Sequence, residues 1–140
     1  MTSDRMSEPP RVRDFMTSMP GTIDADRTLE QARELMSQFQ SRHLPVVRDG
    51  VLVGILSQRD IATAESLGRR GKAHTVDEAM STPPFTCGPD AHLHAVASEM
   101  AEHKYGTAVI VEREHPLHVI GLFTTVDALR ALALFTGHGG

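Results

Sequence analysis

The sequence predicts a mixed α/β (α+β) fold in which two pseudo-symmetric β-α-β-β-α repeats pack sheet to sheet. Residue types in the first half return in the second at an offset of 64 residues, which becomes 67 beyond the second predicted hairpin. In both halves an apolar strand runs directly into a helix, over residues 54–61 and 121–128. Because one repeat of about 60 residues is too small to bury a good core alone, we expect the two repeats to cover each other's apolar faces.

The amino-acid composition disfavours several classes of protein. The 140 residues carry a net charge of −4, and no basic footprint for nucleic acid is present. A single cysteine, Cys87, excludes an internal disulfide and fits a reducing compartment. The first ten residues lack the apolar stretch of a secretory signal, and no apolar run approaches membrane-spanning length. We therefore expect a cytoplasmic protein that binds neither nucleic acid nor membrane.

The first half begins with a polar segment and continues as a repeat over residues 12–67. Residues 1–11 are predicted to be a disordered tail, and residues 12–17 a short helical turn. Thr22-Ile23 is predicted as a brief strand, and Asp26 as the N-cap of a helix whose apolar positions share one face. Those positions are Leu29, Ala32, Leu35, Met36 and Phe39.

A hairpin and a second helix complete the first repeat. Residues 44–47 and 51–56 are branched and apolar, as covered strands are, and Asp49-Gly50 between them is a hairpin signal. Ser57 is a good N-cap, so a helix is predicted from there to about Leu67. Residues 68–75 are predicted to be a polar linker.

The second repeat spans residues 76–135 and follows the same order of elements. Residues 76–81 correspond to residues 12–17 at the offset of 64. Three extra residues lie within residues 112–118, where a hairpin loop tolerates an insertion. Thr124 is predicted to open the last helix, and residues 136–140 are predicted to be flexible.

A hydroxyl followed three residues later by a carboxylate opens the last helix of each repeat. The pairs are Ser57 with Asp60 and Thr124 with Asp127. Such a pair can be a capping box and nothing more. It can also hold a ligand, because helix N–H groups face an anion and a carboxylate accepts hydrogen bonds from a ribose diol. The repetition of the pair at equivalent positions favours a ligand site.

The order of motifs in both halves resembles a tandem pair of CBS (cystathionine β-synthase) domains, a Bateman module. The resemblance covers residues 12 to about 135. It rests on Val-x-Asp/Glu-x-Met, then Thr before the helix, then the apolar strand with Pro45, then Gly-apolar-apolar-Ser/Thr-x-x-Asp. It implies a non-catalytic regulatory module, usually a homodimer, that requires no cofactor. The ligand implied is AMP, ADP or ATP, or sometimes S-adenosylmethionine, in the cleft between the repeats.

Carried over residue by residue, the resemblance implies two ligand sites. Asp60 would bind the ribose of the first ligand and Ser57 its phosphate or ribose. Asp127 and Thr124 would have these roles in the second site. The base would be surrounded by Thr22, Ile23, His43 and Pro45 in the first site and by Thr86, Cys87, Thr107 and Val109 in the second.

The two sites are predicted to differ in the ligand charge they favour. Arg59 lies on the helix of the first site, and its guanidinium suits phosphate oxygens, whereas Val126 is at the equivalent position of the second. Val109 also replaces Pro45, and Lys104 compensates only in part for the basic groups that the second site lacks. The first site is therefore expected to favour phosphorylated ligands, and the second to tolerate adenosine or S-adenosylmethionine.

Three classes of function compete: a ligand sensor, a dimeric interaction protein with degenerate sites that docks to an unidentified regulated partner, and an enzyme. The enzyme is disfavoured because no P-loop, dinucleotide fingerprint or nucleophile–histidine constellation can be placed. No metal site is predicted, and Cys87 is predicted to be a buried, inert thiol because it corresponds to Ile23. A homodimer is predicted to use apolar positions that the fold leaves uncovered. The candidates are Met36, Phe39, Leu129, Leu132 and Phe135.

Overall fold

Two β-hairpins, each flanked by a short parallel strand, form the two sheets of the molecule. The structure is a computed structural model that describes residues 8–19, 21–67, 74–112 and 118–137. Its strands are β1 (Thr17–Ser18), β2 (Ile23–Asp24), β3 (His43–Arg48), β4 (Val51–Ser57), β5 (Thr86–Cys87), β6 (Thr107–Val111) and β7 (Val119–Thr124). Its α-helices are α1 (Leu29–Phe39), α2 (Gln58–Ser66), α3 (Val76–Ala79), α4 (Leu93–His103) and α5 (Thr125–Thr136), with a 3-10 helix at Val12–Asp14. The predicted mixed class is confirmed.

The strand orders are β2-β3-β4 in one sheet and β1-β7-β6-β5 in the other. In each sheet a hairpin of antiparallel strands is joined on one side by a parallel two-residue strand, β2 on β3 and β5 on β6. The second sheet carries an additional antiparallel strand, β1 on β7. This strand comes from the beginning of the chain, although it pairs with residues more than a hundred positions later.

The chain divides into two compact units whose composition differs from that of the sequence repeats. Met19–Pro84 form the first, here called the Asp60 unit. Residues up to Ser18 together with those from Phe85 onward form the second, here called the Asp127 unit. Each unit therefore contains the opening segment of the other sequence repeat. Residues 12–18 open the first repeat but lie in the Asp127 unit, and residues 76–84 open the second repeat but lie in the Asp60 unit.

The core of the Asp60 unit forms as the helical pattern predicts. Helix α1 buries Leu29, Ala32 and Met36 against strands β3 and β4, with Leu35 and Phe39 packed at the edge of the cluster. Met36 is only 4% exposed, so the expectation that it contributes to a dimer surface is wrong. The helical face that it shares is filled by the core of its own unit.

The core of the Asp127 unit includes the beginning of the chain. Val12 is fully buried with Phe123, Val96 and their neighbours. Its N–H donates to the Ala91 carbonyl at 2.8 Å, and the Leu93 N–H donates to the Pro10 carbonyl at 2.9 Å. Residues 1–7 of the predicted tail lie outside the described residues, whereas the chain from Pro10 onward is tied to this core.

Local signals predict most helix and hairpin ends correctly. Helices α2 and α5 begin after Ser57 and Thr124 as predicted, and Asp49 and Gly50 adopt the positive φ angles, 54° and 79°, of a tight hairpin turn. The predicted N-cap Asp26 is wrong. Thr28 caps α1 instead, because its hydroxyl accepts from the Gln31 N–H at 3.1 Å while the Gln31 side chain accepts from the Thr28 N–H at 3.0 Å.

The remaining differences concern the shortest elements. The predicted helical turn over residues 12–17 is a 3-10 helix at Val12–Asp14 followed by β1, and the brief strand at Thr22-Ile23 lies one residue later. Residues 68–73 of the predicted linker lie outside the described residues. The same holds for residues 113–117 of the second hairpin and residues 138–140 of the predicted flexible end.

Candidate functional site

The Asp60 corner lies where strand β4 ends and helix α2 begins. The Ser57 N–H donates to Asp60 Oδ2 at 2.8 Å, and the Asp60 N–H donates to Ser57 Oγ at 2.9 Å. This is a complete capping box. Asp60 remains partly exposed, and among the described residues its Oδ1 has no hydrogen-bond partner. Capping therefore uses one carboxylate oxygen and leaves the other available to a ligand.

The Asp127 corner has the same plan but a different environment. The Thr124 N–H and hydroxyl both donate to Asp127 Oδ2, at 2.9 and 3.2 Å. Oδ1 accepts from the Thr17 hydroxyl at 3.1 Å and from Arg130 at 3.4 Å. Asp127 is only 3% exposed, so hydrogen bonds replace the water that a buried carboxylate loses. Both of its oxygens are therefore occupied.

The strand next to each corner brings a further predicted residue close. His43 lies opposite Ser57 in the β3–β4 ladder, and Thr107 lies opposite Thr124 in the β6–β7 ladder. The Thr107 side chain is 6% exposed, and among the described residues its buried hydroxyl finds no hydrogen-bond partner. Because buried polar groups are nearly always paired, this hydroxyl marks the Asp127 corner as chemically incomplete.

The residues predicted to surround the base occupy the neighbouring strands. Thr86 lies opposite Val109, and Ile23 lies opposite Val46, one position along β3 from Pro45. Pro45 and Val109 are fully buried, so their side chains are not accessible from the surface of their sheets. Thr22 and Ile23 line a groove of about 390 Å³ beside helix α1, together with Asp24, Arg27, Gln31, Glu34, Leu35 and Gln38.

Charge differs between the two helix starts, as predicted. Arg59 is exposed at the second position of α2, where its guanidinium adds to the positive N-terminal end of the helix dipole. Val126, its counterpart on α5, is 53% exposed and apolar. The second helix position is therefore cationic only at the Asp60 corner, whereas at the Asp127 corner the Arg130 guanidinium lies 3.4 Å from Asp127 Oδ1.

Cys87 behaves as a structural residue. It lies in β5 opposite Ile110 and packs against the apolar core of the Asp127 unit. Burial raises the pKa of its thiol to about 11, because a thiolate would lose its hydration there. The thiol is therefore protonated at neutral pH and a poor nucleophile, in agreement with the predicted inert role.

Sequence reasoning missed Thr17, which donates to the Asp127 carboxylate across a separation of 110 residues. The available signal was the hydroxyl at the same place in both repeats, Thr17 in the first and Ser81 in the second. Its meaning depends on which sheet the opening segment joins, and that is a long-range property.

Glycine at the start of each Gly-apolar-apolar-Ser/Thr-x-x-Asp motif allows this segment to approach the sheet. A Cβ at Gly121 would lie 2.8 Å from the Thr17 carbonyl oxygen and 2.9 Å from Met16 Sδ. A Cβ at Gly54 would lie 2.8 Å from the Ser81 carbonyl oxygen and 2.7 Å from Met80 Sδ. In both units the glycine is thus required where the backbone of an opening segment runs beside the strand.

Two further features of the described residues bear on function. They contain no group of three or more His, Cys, Asp or Glu side chains placed to hold a metal ion. None of the helices in the same part of the chain has the length and apolar character needed to cross a membrane.

The fold and the two hydroxyl–carboxylate corners define a tandem-repeat module with two equivalent candidate sites. The family model for the CBS domain matches the chain twice, over residues 12–66 and 76–134. The chain therefore belongs to the CBS-domain family and contains two CBS domains. The resemblance inferred from the motifs is confirmed.

Curated relatives include proteins of similar and of much greater length. The chain is 32% identical over 111 residues to the CBS domain-containing protein YhcV of Bacillus subtilis (strain 168), covering 79% of each protein. It is also 32% identical over 116 residues to a homoserine O-acetyltransferase of Methanosphaera stadtmanae. That match covers 82% of this chain but 22% of the acetyltransferase, so the chain spans less than a quarter of that relative's length.

Solved structures of CBS pairs superpose over nearly the whole chain. The CBS domain pair of protein MJ0100, in complex with 5′-methylthioadenosine and S-adenosyl-L-methionine, matches with a TM-score of 0.79 at 25% identity. The match covers 92% of this chain and 100% of that one. A putative acetoin utilization protein (AcuB) from Vibrio cholerae matches with a TM-score of 0.70 at 30% identity, covering 95% and 100% of the two chains.

Proposed function

We propose that this chain is a non-catalytic, ligand-sensing regulatory module that binds an adenosine-containing ligand at its hydroxyl–carboxylate corners. The observation that carries the proposal is the Asp60 corner. Its capping box uses Oδ2 and leaves Oδ1 available among the described residues, beside a helix N-terminus. A ribose hydroxyl could donate to that oxygen while an attached anion lies at the positive end of the helix dipole.

The chemistry of the corner and the ligands of solved relatives both support the proposed ligand class. A carboxylate oxygen selects a hydroxyl donor, and Arg59 beside it favours a phosphate, so AMP, ADP and ATP fit the Asp60 corner best. The solved structure of the MJ0100 pair holds 5′-methylthioadenosine and S-adenosyl-L-methionine, which supports an adenosine moiety as the common element. S-adenosylmethionine is the alternative ligand, proposed for the Asp127 corner, where Val126 stands at the position of Arg59.

Thermal denaturation tests the proposal directly. A ligand that binds only the native state raises Tm by mass action, so adenosine, AMP or S-adenosylmethionine at saturating concentration should raise the Tm of the parent, whereas cytidine should not. Asp60→Ala should lose most of the AMP-dependent shift. Asp26→Ala, which removes one exposed carboxylate elsewhere in the same unit, should keep it. If none of the adenosine compounds shifts Tm, the proposed ligand class is wrong.

A second candidate is a dimeric interaction protein whose ligand sites are degenerate. The observation that favours it is the apolar surface of α5, where the exposed fraction is 62% for Leu129, 57% for Leu132 and 51% for Phe135. Such patches usually mark interfaces. A homodimer is compatible with both candidates, and a failure to bind any adenosine compound would favour this one.

A further inference from the structure

The segment that contains strand β1 reaches Asp127, the carboxylate proposed to bind a ribose in the Asp127 unit. Strand β1 pairs antiparallel with β7, placing Thr17 opposite Leu122. From there the Thr17 hydroxyl donates to Asp127 Oδ1 at 3.1 Å. Because Oδ2 already accepts from the N–H and hydroxyl of Thr124, Oδ1 is the oxygen on which a ligand hydroxyl would have to bind.

The corresponding position in the Asp60 unit makes no such contact. Ser81 corresponds to Thr17 at the offset of 64, and it forms the equivalent bridge, to Ile55. Ser81 and Thr17 are both exposed, but within the described part of the chain the Ser81 hydroxyl donates to no group on Asp60. The two corners thus share a fold but differ in one contact. The Thr17 hydroxyl donates to Oδ1 of Asp127, whereas no hydroxyl of the described residues donates to Oδ1 of Asp60.

The segment that contains Thr17 is anchored to the Asp127 unit by backbone contacts and by a buried side chain. Its carbonyl oxygen lies against Gly121, at a distance that no side chain there would allow. Five residues earlier, Val12 is fully buried, and its N–H donates to the Ala91 carbonyl at 2.8 Å. The other donor to Oδ1, Arg130, is 72% exposed and 3.4 Å away, so it can move aside at little cost, whereas Thr17 must break a bond inside the unit.

We propose that Thr17 occupies the position of a ligand hydroxyl on Asp127, so that the Asp127 corner is closed until Thr17 is displaced while the Asp60 corner is open. This inference rests on the proposed function. A ribose can replace Thr17 because its vicinal diol supplies a hydroxyl to the same oxygen. The protein would therefore fill its Asp60 corner first.

Displacement of Thr17 couples the ligand to the opening segment of the chain. If the ligand and Thr17 compete for one oxygen, binding weakens the attachment of β1, and weakening β1 promotes binding to the same extent. The segment from Pro10 to Ser18 would then be the part of the molecule that reports occupation of this corner.

The test measures adenosine binding by calorimetry in an Asp60→Ala background, so that only the Asp127 corner contributes. Adding Thr17→Val removes the competing hydroxyl but keeps a β-branched side chain in the strand. We expect the Kd for adenosine to fall about tenfold, the value of one hydrogen bond to a charged group. Thr17→Ser keeps a hydroxyl and should bind as the background does, and Ser81→Ala should also leave Kd unchanged.

A second readout requires no substitution at position 17. Hydrogen exchange of the Thr17 and Ser18 amides, measured in the Asp60→Ala protein, should become faster when adenosine is added. Unchanged or slower exchange would overturn the proposal, as would a Thr17→Val protein that binds adenosine equally or more weakly. In those cases adenosine still binds and the proposed function stands. If adenosine binds neither the parent nor any variant, the proposed function itself fails, and the role of Thr17 fails with it.

Discussion

The two carboxylates at the helix starts differ in burial and in hydrogen bonding. Asp127 is 3% exposed and accepts from Thr124, Thr17 and Arg130, whereas Asp60 is partly exposed and serves mainly its own cap. Asp127→Ala would remove a buried carboxylate that accepts from three residues, so we expect it to lower the free energy of unfolding by about 2–3 kcal/mol, against about 1 kcal/mol for Asp60→Ala. Urea denaturation of the two variants measures this difference. Equal losses would show that the contacts of Asp127 contribute nothing beyond capping.

The Arg59 guanidinium is expected to decide which corner prefers a phosphate. Arg59→Ala should weaken AMP binding by about tenfold, the effect of one charge-assisted hydrogen bond, and leave adenosine binding nearly unchanged. Val126→Arg, at the equivalent exposed position of α5, is the matched gain-of-charge variant and should strengthen AMP binding at the Asp127 corner. Calorimetry at low and high salt measures both effects, since salt screens the phosphate contact. An equal loss of AMP and adenosine affinity in Arg59→Ala would mean that Arg59 only shapes its corner.

At the scale of single elements, strands β4 and β7 each need a glycine where the backbone of an opening segment runs beside them. Gly121→Ala would bring Cβ to 2.8 Å from a backbone oxygen, and Gly54→Ala would do the same in the other unit. Overpacking of this kind costs about 1–3 kcal/mol, which should appear as a clear drop in Tm for each variant. Gly106→Ala is the control, because no heavy atom lies within 4 Å of its added Cβ. A melting temperature equal to that of Gly106→Ala would show that the segment yields without cost.

The elements that the sequence predicts well are those with a local cause. The Asp49-Gly50 turn and the Ser57 cap each follow from residues within one turn of the feature. Strand β1 could not be predicted from the sequence. Two residues are too few to show an alternating pattern, and Thr17 pairs with Leu122, which is distant in the sequence. The cap of α1 was misassigned although its cause is also local, because Thr28 forms a capping box with Gln31 and Asp26 does not cap the helix.

The candidate site was predictable to a similar extent. The hydroxyl–carboxylate pairs lie at both helix starts as the motif indicates. Their inequality was only partly visible, since the sequence shows Arg59 against Val126 but not the contact of Thr17 with Asp127. Met36 was placed on the surface because periodicity identifies an apolar face without identifying what covers it, and the core of the Asp60 unit does so.

At the scale of the whole molecule, we expect a homodimer through α5. Leu129 and Leu132 are more than half exposed, and Phe135 contacts Phe15 on one side while 51% of it stays accessible. The other candidate, Phe39, is partly buried against the core of the Asp60 unit. Light scattering at micromolar concentration should give twice the 15.3 kDa mass of the chain. Leu132→Glu should reduce it to the monomer, whereas Val51→Glu, exposed at the β3–β4 hairpin, should not. A parent protein that is a clean monomer would contradict the expectation.

The most direct test of the central claim is calorimetric titration of adenosine into the parent and into the Asp60→Ala/Asp127→Ala variant. Each carboxylate is expected to accept a ribose hydroxyl, a bond worth about 1.5–3 kcal/mol. We expect the parent to bind adenosine and the double variant, shown to be folded by circular dichroism, to bind it at least about tenfold more weakly. A folded double variant that binds adenosine as tightly as the parent would show that neither carboxylate binds the ribose.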